Sequence, residues 1–186
     1  MAKITVNIIA AMCEKSRAIG KDNGLPWPRN SHDMKFFRET TTGSVVIMGR
    51  KTFESMGSKP LPKRRNIVIS RKLDASREDI TVARSLDEAM AMGREFCTLT
   101  ERNNIFIIGG SEIYKEALSP SFSANVDRML LTLFSEDYPA DAFFPEFDKD
   151  VWQKDHLILM HEETPRVSNV VLKVQVYQNI NRKEPG

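Results

Sequence analysis

Ile105-Phe106-Ile107-Ile108-Gly109-Gly110-Ser111-Glu112-Ile113-Tyr114-Lys115-Glu116-Ala117-Leu118 decides the reading of this chain. Four consecutive large apolar residues, bounded by polar Asn103-Asn104 and two glycines, predict a strand buried on both faces, as inside a parallel sheet. A helix is expected next. Ile113, Ala117 and Leu118 fall on one face, and Ser111 with Glu112 suits a helix N-terminus. Strand, Gly-Gly and helix together place bare backbone at the carboxyl end of a central strand, where open α/β sheets bind ligands. Paired glycines also permit close approach of a flat or anionic group. A tight strand-to-helix turn without a ligand is the alternative reading of this segment taken alone.

The rest of the chain continues the pattern outward. Apolar runs at 4–11, 45–49, 67–70 and 126–133 predict further buried strands, with a short strand at 79–84. Segments 152–160 and 170–177 read as an antiparallel pair completing the sheet. Helices are expected at 31–40, capped by Asn30 or Ser31, after Gly49 through Phe53 and Met56, and from the Ser85 cap onward. Residues 96–103 read as a polar connection. The irregular stretch 13–30 carries Ile19, Leu25 and Trp27, which a merely solvated loop rarely exposes, so it reads as a lid or pocket wall.

Composition excludes several classes. With 186 residues, 41% hydrophobic and 28% charged, the chain suits one soluble domain, 1–186, with 179–186 as a loose tail. A net charge of +2 argues against nucleic acid or a membrane surface as partner. No apolar run approaches the ~20 residues of a membrane span, and no signal-peptide pattern opens the sequence. Cys13 and Cys97 form no disulfide framework or zinc spacing, so a reducing, cytoplasmic setting and no metal are expected. His32, His156 and His161 have no evident nucleophile or metal-ligand partner.

Local chemistry points to an anionic cofactor. Gly49 followed by Arg50-Lys51-Thr52 puts two cations and a hydroxyl at a helix start, where cations sit badly unless an anion is present. Ser70-Arg71 closes another strand with a hydroxyl and a cation, which accommodates a 2′-phosphate, so NADPH fits better than NADH. There is no G-x-G-x-x-G after the first strand, so the ordinary dinucleotide fingerprint is absent. Asp33 lies beside the apolar helix face of Met34 and Phe37. It reads either as a first-turn acid meeting the helix dipole or as a buried functional acid.

Ala18-Ile19-Gly20, Leu25-Pro26-Trp27, Asp33, Phe37 and Thr41, in this order and spacing, resemble the dihydrofolate reductase family, and the likeness runs from Ile4 to Tyr177. It implies an α/β fold with a mostly parallel eight-stranded sheet, an antiparallel C-terminal strand and about four flanking helices. It also implies NADPH-dependent reduction of 7,8-dihydrofolate at C6, with protonation at N5. In the family pattern Asp33 binds the pterin amidine edge and promotes N5 protonation through water, with Trp27, Thr132 and Tyr114 beside it. Ile9, Ala10, Leu25, Met34, Phe37, Met56, Leu61, Arg64, Ile108 and Thr132 line the substrate site. Arg64 takes the glutamate α-carboxylate, a planar bidentate match. Ala11, Ile19, Gly20, Gly49, Arg50, Lys51, Thr52, Ser70, Arg71, Arg84 and the run Ile108, Gly109, Gly110, Ser111, Glu112, Ile113, Tyr114 hold the cofactor. The Gly109-Gly110 peptide is cis in the family. Arg84 reads equally as a surface cation.

Two departures stand out. Lys63 replaces the family's usual Gly before Arg64, and Phe53 replaces its usual Trp after Thr52. Asp33 is the shorter of the two acids the family uses there, which is expected to leave more room for water and shift antifolate preference. A monomer is expected, since no apolar helix face remains to be covered. The rival readings are a fold relative that reduces a pterin or pyrimidine in riboflavin synthesis, and a non-catalytic NADP-binding module. The first would not need Asp33 and Phe37 with Arg64, and the second would have no use for Asp33, Phe37 and Thr132 together.

Overall fold

The structure, a computed structural model, describes residues 3–159 and 172–182. Strands β1 (Thr5–Cys13), β3 (Val45–Gly49), β4 (Arg65–Ile69), β5 (Thr81–Ala83), β6 (Asn104–Ile107), β7 (Arg128–Phe134), β9 (Trp152–Leu159) and β10 (Leu172–Asn179) form one sheet. Their order is β5-β4-β3-β6-β1-β7-β10-β9. Pairings from β5 through β7 are parallel, and β10 is antiparallel to both β7 and β9. The expected α/β sheet with an antiparallel C-terminal strand is therefore present. Met160 and Val170, at the expected ends of the last two strands, and His161 lie outside the described residues.

Near-continuous apolar runs form these strands because helices and loops cover both faces. Val46 and Met48 pack with Phe53 on one side, whereas Val45 and Ile47 pack with Leu86 and Ala89 of a helix on the other. Helices α1 (Ser31–Thr41), α2 (Arg50–Ser55), α3 (Leu86–Thr100) and α4 (Ser111–Ala117) account for the four expected. No helix among the described residues is long and apolar enough to cross a membrane.

Three segments differ from the sequence reading. The 96–103 connection is helical to Thr100, because Phe96 and Cys97 continue the buried face and Glu101 ends the helix in a left-handed turn at φ 57°. Within 13–30, β2 (Ala18–Gly20) pairs with β8 (Ala142–Phe143), so part of the expected loop is a short ribbon. Asn179 belongs to β10 rather than to a loose tail: its buried amide donates to Ser123 O at 3.0 Å and Val126 O at 2.8 Å.

Candidate active site

Asp33 enters the site from the first turn of α1. Asn30 caps that helix, its Oδ1 accepting from the backbone N–H groups of His32 and Asp33, both at 3.1 Å. The Asp33 carboxyl is thereby free of capping duty and is only 9% exposed. Burial pushes its pKa from 3.8 up to about 6, and a hydrogen bond with the Thr132 side chain partly offsets the rise. Thr132 is itself buried on β7, opposite Ala11 of β1 in register. The two open readings of Asp33 are thus combined in one residue, a first-turn acid that is also buried.

The strand period of two arranges the surroundings. Ile9 and Ala11 share a face of β1, and their register partners Leu130 and Thr132 share the matching face of β7. Ile9, Phe37, Met56, Leu61 and Ile108 belong to one apolar cluster on this side. Trp27 belongs to a separate cluster against which Ala11 packs, stacked on Phe134 at 4.0 Å between ring centroids and edge-on to Tyr138 at 6.4 Å. Its indole Nε1 is buried and has no hydrogen-bond partner among the described residues. Leu25 and Met34 are exposed at the rim, 53% and 38%, while Ala10 and Ile19 pack against the cluster on the opposite face.

Gly49 and Gly109 bring two strand ends together, Gly49 N–H donating to Gly109 O at 2.8 Å. The Gly109–Gly110 peptide is cis. Gly109 has φ +114°, and a Cβ there would meet the Tyr114 ring at 3.1 Å; a Cβ on Gly110 would lie 3.3 Å from Thr52 Oγ1. A side chain at Gly109 would thus be strained by its backbone and crowded by the ring, and one at Gly110 would press on Thr52. The Tyr114 hydroxyl donates to Ile9 O at 2.7 Å, tying α4 to β1. Its pKa is pushed up by burial and by the charge of Asp33, so the phenol stays neutral.

Helices α2 and α4 both begin at glycines without side-chain caps. Their leading N–H groups and the cations of Arg50 and Lys51 suit a diphosphate, and the glycine shelf between them suits a flat ring. Arg50 also pairs with Glu54 one turn on at 2.7 Å. At the end of β4, Ser70 Oγ accepts from Lys72 N–H at 3.1 Å and Leu73 N–H at 3.0 Å. Arg84 Nη1 donates to Ser70 O and Leu73 O at 2.8 and 3.0 Å, so it braces the turn that carries Arg71. These residues fit a phosphorylated dinucleotide laid across the strand ends.

At the other end of the cleft, Arg64 Nη1 donates to Thr41 Oγ1 at 3.0 Å and its Nε to Pro62 O at 2.9 Å. Burial, and then the charge of Arg38, lower its pKa. Lys63, in the place of the usual glycine, adopts φ +57°. Asn66 and Arg17 carry no sequence motif and were not legible as site-supporting residues. Asn66 is buried and bonded to the Leu61–Arg64 loop. Arg17 donates to Phe144 O at 3.1 Å and to Pro145 O, and lies over the Phe144 and Phe147 rings. Only the contacts reveal either one: those of Asn66 are two to five residues away, and those of Arg17 more than a hundred.

A buried acid, an apolar slot, a glycine shelf and two uncapped helix starts lie together at the carboxyl ends of the central strands, an arrangement that suits an oxidoreductase. The family model of dihydrofolate reductase matches residues 5–178. The chain is 40% identical over 149 residues to dihydrofolate reductase type 3 of Salmonella typhimurium, covering 80% of this chain and 83% of that one. It is 37% identical over 148 residues to the dihydrofolate reductase of Bacillus subtilis (strain 168), covering 80% of each. The Mus musculus dihydrofolate reductase is 37% identical over 153 residues, covering 77% of this chain and 80% of that one. Dihydrofolate reductase from Enterococcus faecalis, solved in complex with NADP(H) and RAB-propyl, superposes with a TM-score of 0.80 at 31% identity, covering 95% of this chain and 96% of the other. The chain belongs to the dihydrofolate reductase family, NADPH-dependent oxidoreductases.

Proposed function

We propose that this chain reduces 7,8-dihydrofolate to 5,6,7,8-tetrahydrofolate, with Asp33 as the group that orients the pterin and promotes protonation at N5. The observation that carries this role is the buried Asp33 carboxyl, its pKa pushed to about 6 and bonded to Thr132 on the same face as Ile9 and Phe37. NADPH, when bound, supplies the hydride that reduces C6. The protein's part is to hold two rings face to face and to exclude bulk water.

Ile9, Phe37, Met56, Leu61 and Ile108 wall the slot that takes the pterin and aminobenzoyl rings. Asp33 accepts from the amidine edge of the pterin, and Thr132 fixes the carboxyl's orientation. Anchored on that edge, the carboxyl serves N5 through a water rather than directly. The Trp27 N–H, buried and unpaired among the described residues, is the donor suited to ordering that water. Arg64, held by Thr41 and Pro62, keeps further N–H groups for the glutamate α-carboxylate. On the cofactor side, Gly49, Arg50, Lys51, Thr52 and the 109–114 run hold the diphosphate and nicotinamide, and Ser70, Arg71 and Arg84 the 2′-phosphate end.

We assign the chain to the cytoplasm as a monomer whose partners are these two small molecules. Buried, unpaired Cys13 and Cys97 suit a reducing compartment. The test of the activity is simultaneous loss of reduced-nicotinamide absorbance and appearance of tetrahydrofolate in equal amounts, run with NADPH and with NADH. Equal turnover of the two cofactors would contradict the assignment of Ser70, Arg71 and Arg84. No tetrahydrofolate would overturn the function.

A further inference from the structure

Asn66 sits at the second position of β4, only 2% exposed, and spends its whole side chain on one loop. Its Oδ1 accepts from Leu61 N–H at 2.9 Å, and its Nδ2 donates to Leu61 O at 3.0 Å and to Arg64 O at 3.0 Å. A single buried amide thus mimics a strand partner for Leu61 and ties the same frame to Arg64. The loop it closes needs such a clamp. Lys63 lies in the left-handed region at φ +57°, a conformation unfavourable for a residue with a side chain. The outer side of the loop is fixed separately, Gly43 N–H donating to Lys63 O at 2.8 Å. The Arg64 guanidinium is then aimed by Thr41, whose hydroxyl in turn donates to Phe37 O at 2.8 Å.

We infer that Asn66 is a positioning residue for the substrate's tail: it locks Leu61 and Arg64 into one rigid frame, so that the aminobenzoyl ring and the carboxylate are recognised together. Asn66 touches neither group itself. Its effect is on affinity, because a carboxylate clamp that must first be ordered loses part of its binding energy to that ordering. This inference rests on the assignment of Leu61 and Arg64 to the substrate tail, and the test separates the two.

The experiment compares the parent, Asn66→Ala, Arg64→Leu and the double variant on dihydrofolate and on 6-methyl-7,8-dihydropterin, which lacks the tail. NADPH binding is followed by protein fluorescence as the control for folding. For Asn66→Ala the KM for dihydrofolate is expected to rise about tenfold, the loss of a positioned charge-assisted hydrogen bond. kcat is expected to change less than twofold, as is kcat/KM for the tail-less pterin. The double variant should be little worse than Arg64→Leu alone, since both remove the same recognition. An unchanged dihydrofolate KM, an equal loss on both substrates, or full additivity would overturn the inference. If Arg64→Leu alone leaves the dihydrofolate KM unchanged, the tail assignment itself fails and the inference falls with it. Should Asn66→Ala not bind NADPH, Asn66→Ser is read in the same way, its hydroxyl able to accept from Leu61 N–H. If neither variant binds NADPH, Asn66 is a folding determinant and the positioning role is wrong.

Discussion

Replacing Asp33 by Asn should make the ligand-free protein more stable at neutral pH while removing its chemistry. The Asp33 pKa rises from 3.8 to about 6 because burial disfavours the carboxylate, and the residue is 9% exposed. A carboxyl raised in the folded state binds more protons there than in the unfolded chain between these two values. Stability therefore falls as pH climbs through that window, and the loss is complete above about pH 6. The rise corresponds to about 3 kcal/mol. Asn is nearly the same shape, carries no charge, and its carbonyl can still accept from Thr132. Urea unfolding of both proteins without ligands should thus show Asp33→Asn ahead by about 2–3 kcal/mol at pH 8. In a chain of this size that is a melting-point gain of about 5–10 °C. Near pH 4 the advantage should shrink below about 1 kcal/mol, since the parent carboxyl is then protonated in the folded state. A stability difference that stays flat from pH 4 to pH 8, or a less stable variant at pH 8, would refute the claim that burial sets this pKa.

Other perturbations probe the framework. Lys63→Gly relieves the left-handed backbone at φ +57° and should stabilise the fold by about 0.5–1 kcal/mol after the added flexibility of glycine, read as a higher melting temperature. Tyr114→Phe removes the 2.7 Å bond to Ile9 O and leaves that buried carbonyl short of a donor, a loss of about 1–2 kcal/mol in chemical unfolding. Gly109→Ala meets the Tyr114 ring at 3.1 Å and carries φ +114°, so NADPH affinity measured by fluorescence should collapse. Asp33→Glu should change inhibitor constants for antifolates relative to the parent; equal constants would remove the argument from side-chain length.

The central sheet was legible because its strands are buried on both faces, and unbroken runs such as Ile105-Phe106-Ile107 leave little else to read. The helix start at Arg50 was legible as a candidate anion site through a chemical conflict, cations at the positive end of a helix. The Ala18–Gly20 and Ala142–Phe143 ribbon was not, since each strand is too short to show a period and the partners lie over a hundred residues apart. The same distance hid Arg17, whose acceptors are carbonyls at Phe144 and Pro145. Helix α3 ran past its expected end because Phe96 and Cys97 gain tertiary contacts that local polarity does not reveal. Asp33 shows the same limit at the site itself. Its first-turn position was readable from local pattern, whereas its burial and its hydrogen bond with Thr132, on a strand nearly a hundred residues later, come from tertiary packing.

The most direct test of the account is the loss of reduced-nicotinamide absorbance on mixing NADPH with dihydrofolate, followed across pH for the parent and for Asp33→Asn. The account predicts rapid turnover by the parent and a fall of about a hundredfold or more in the variant, with residual activity shifted toward acid pH, where solvent supplies the proton. A parent that binds NADPH without oxidising it, or a variant that keeps the parent's rate and pH profile, would contradict it.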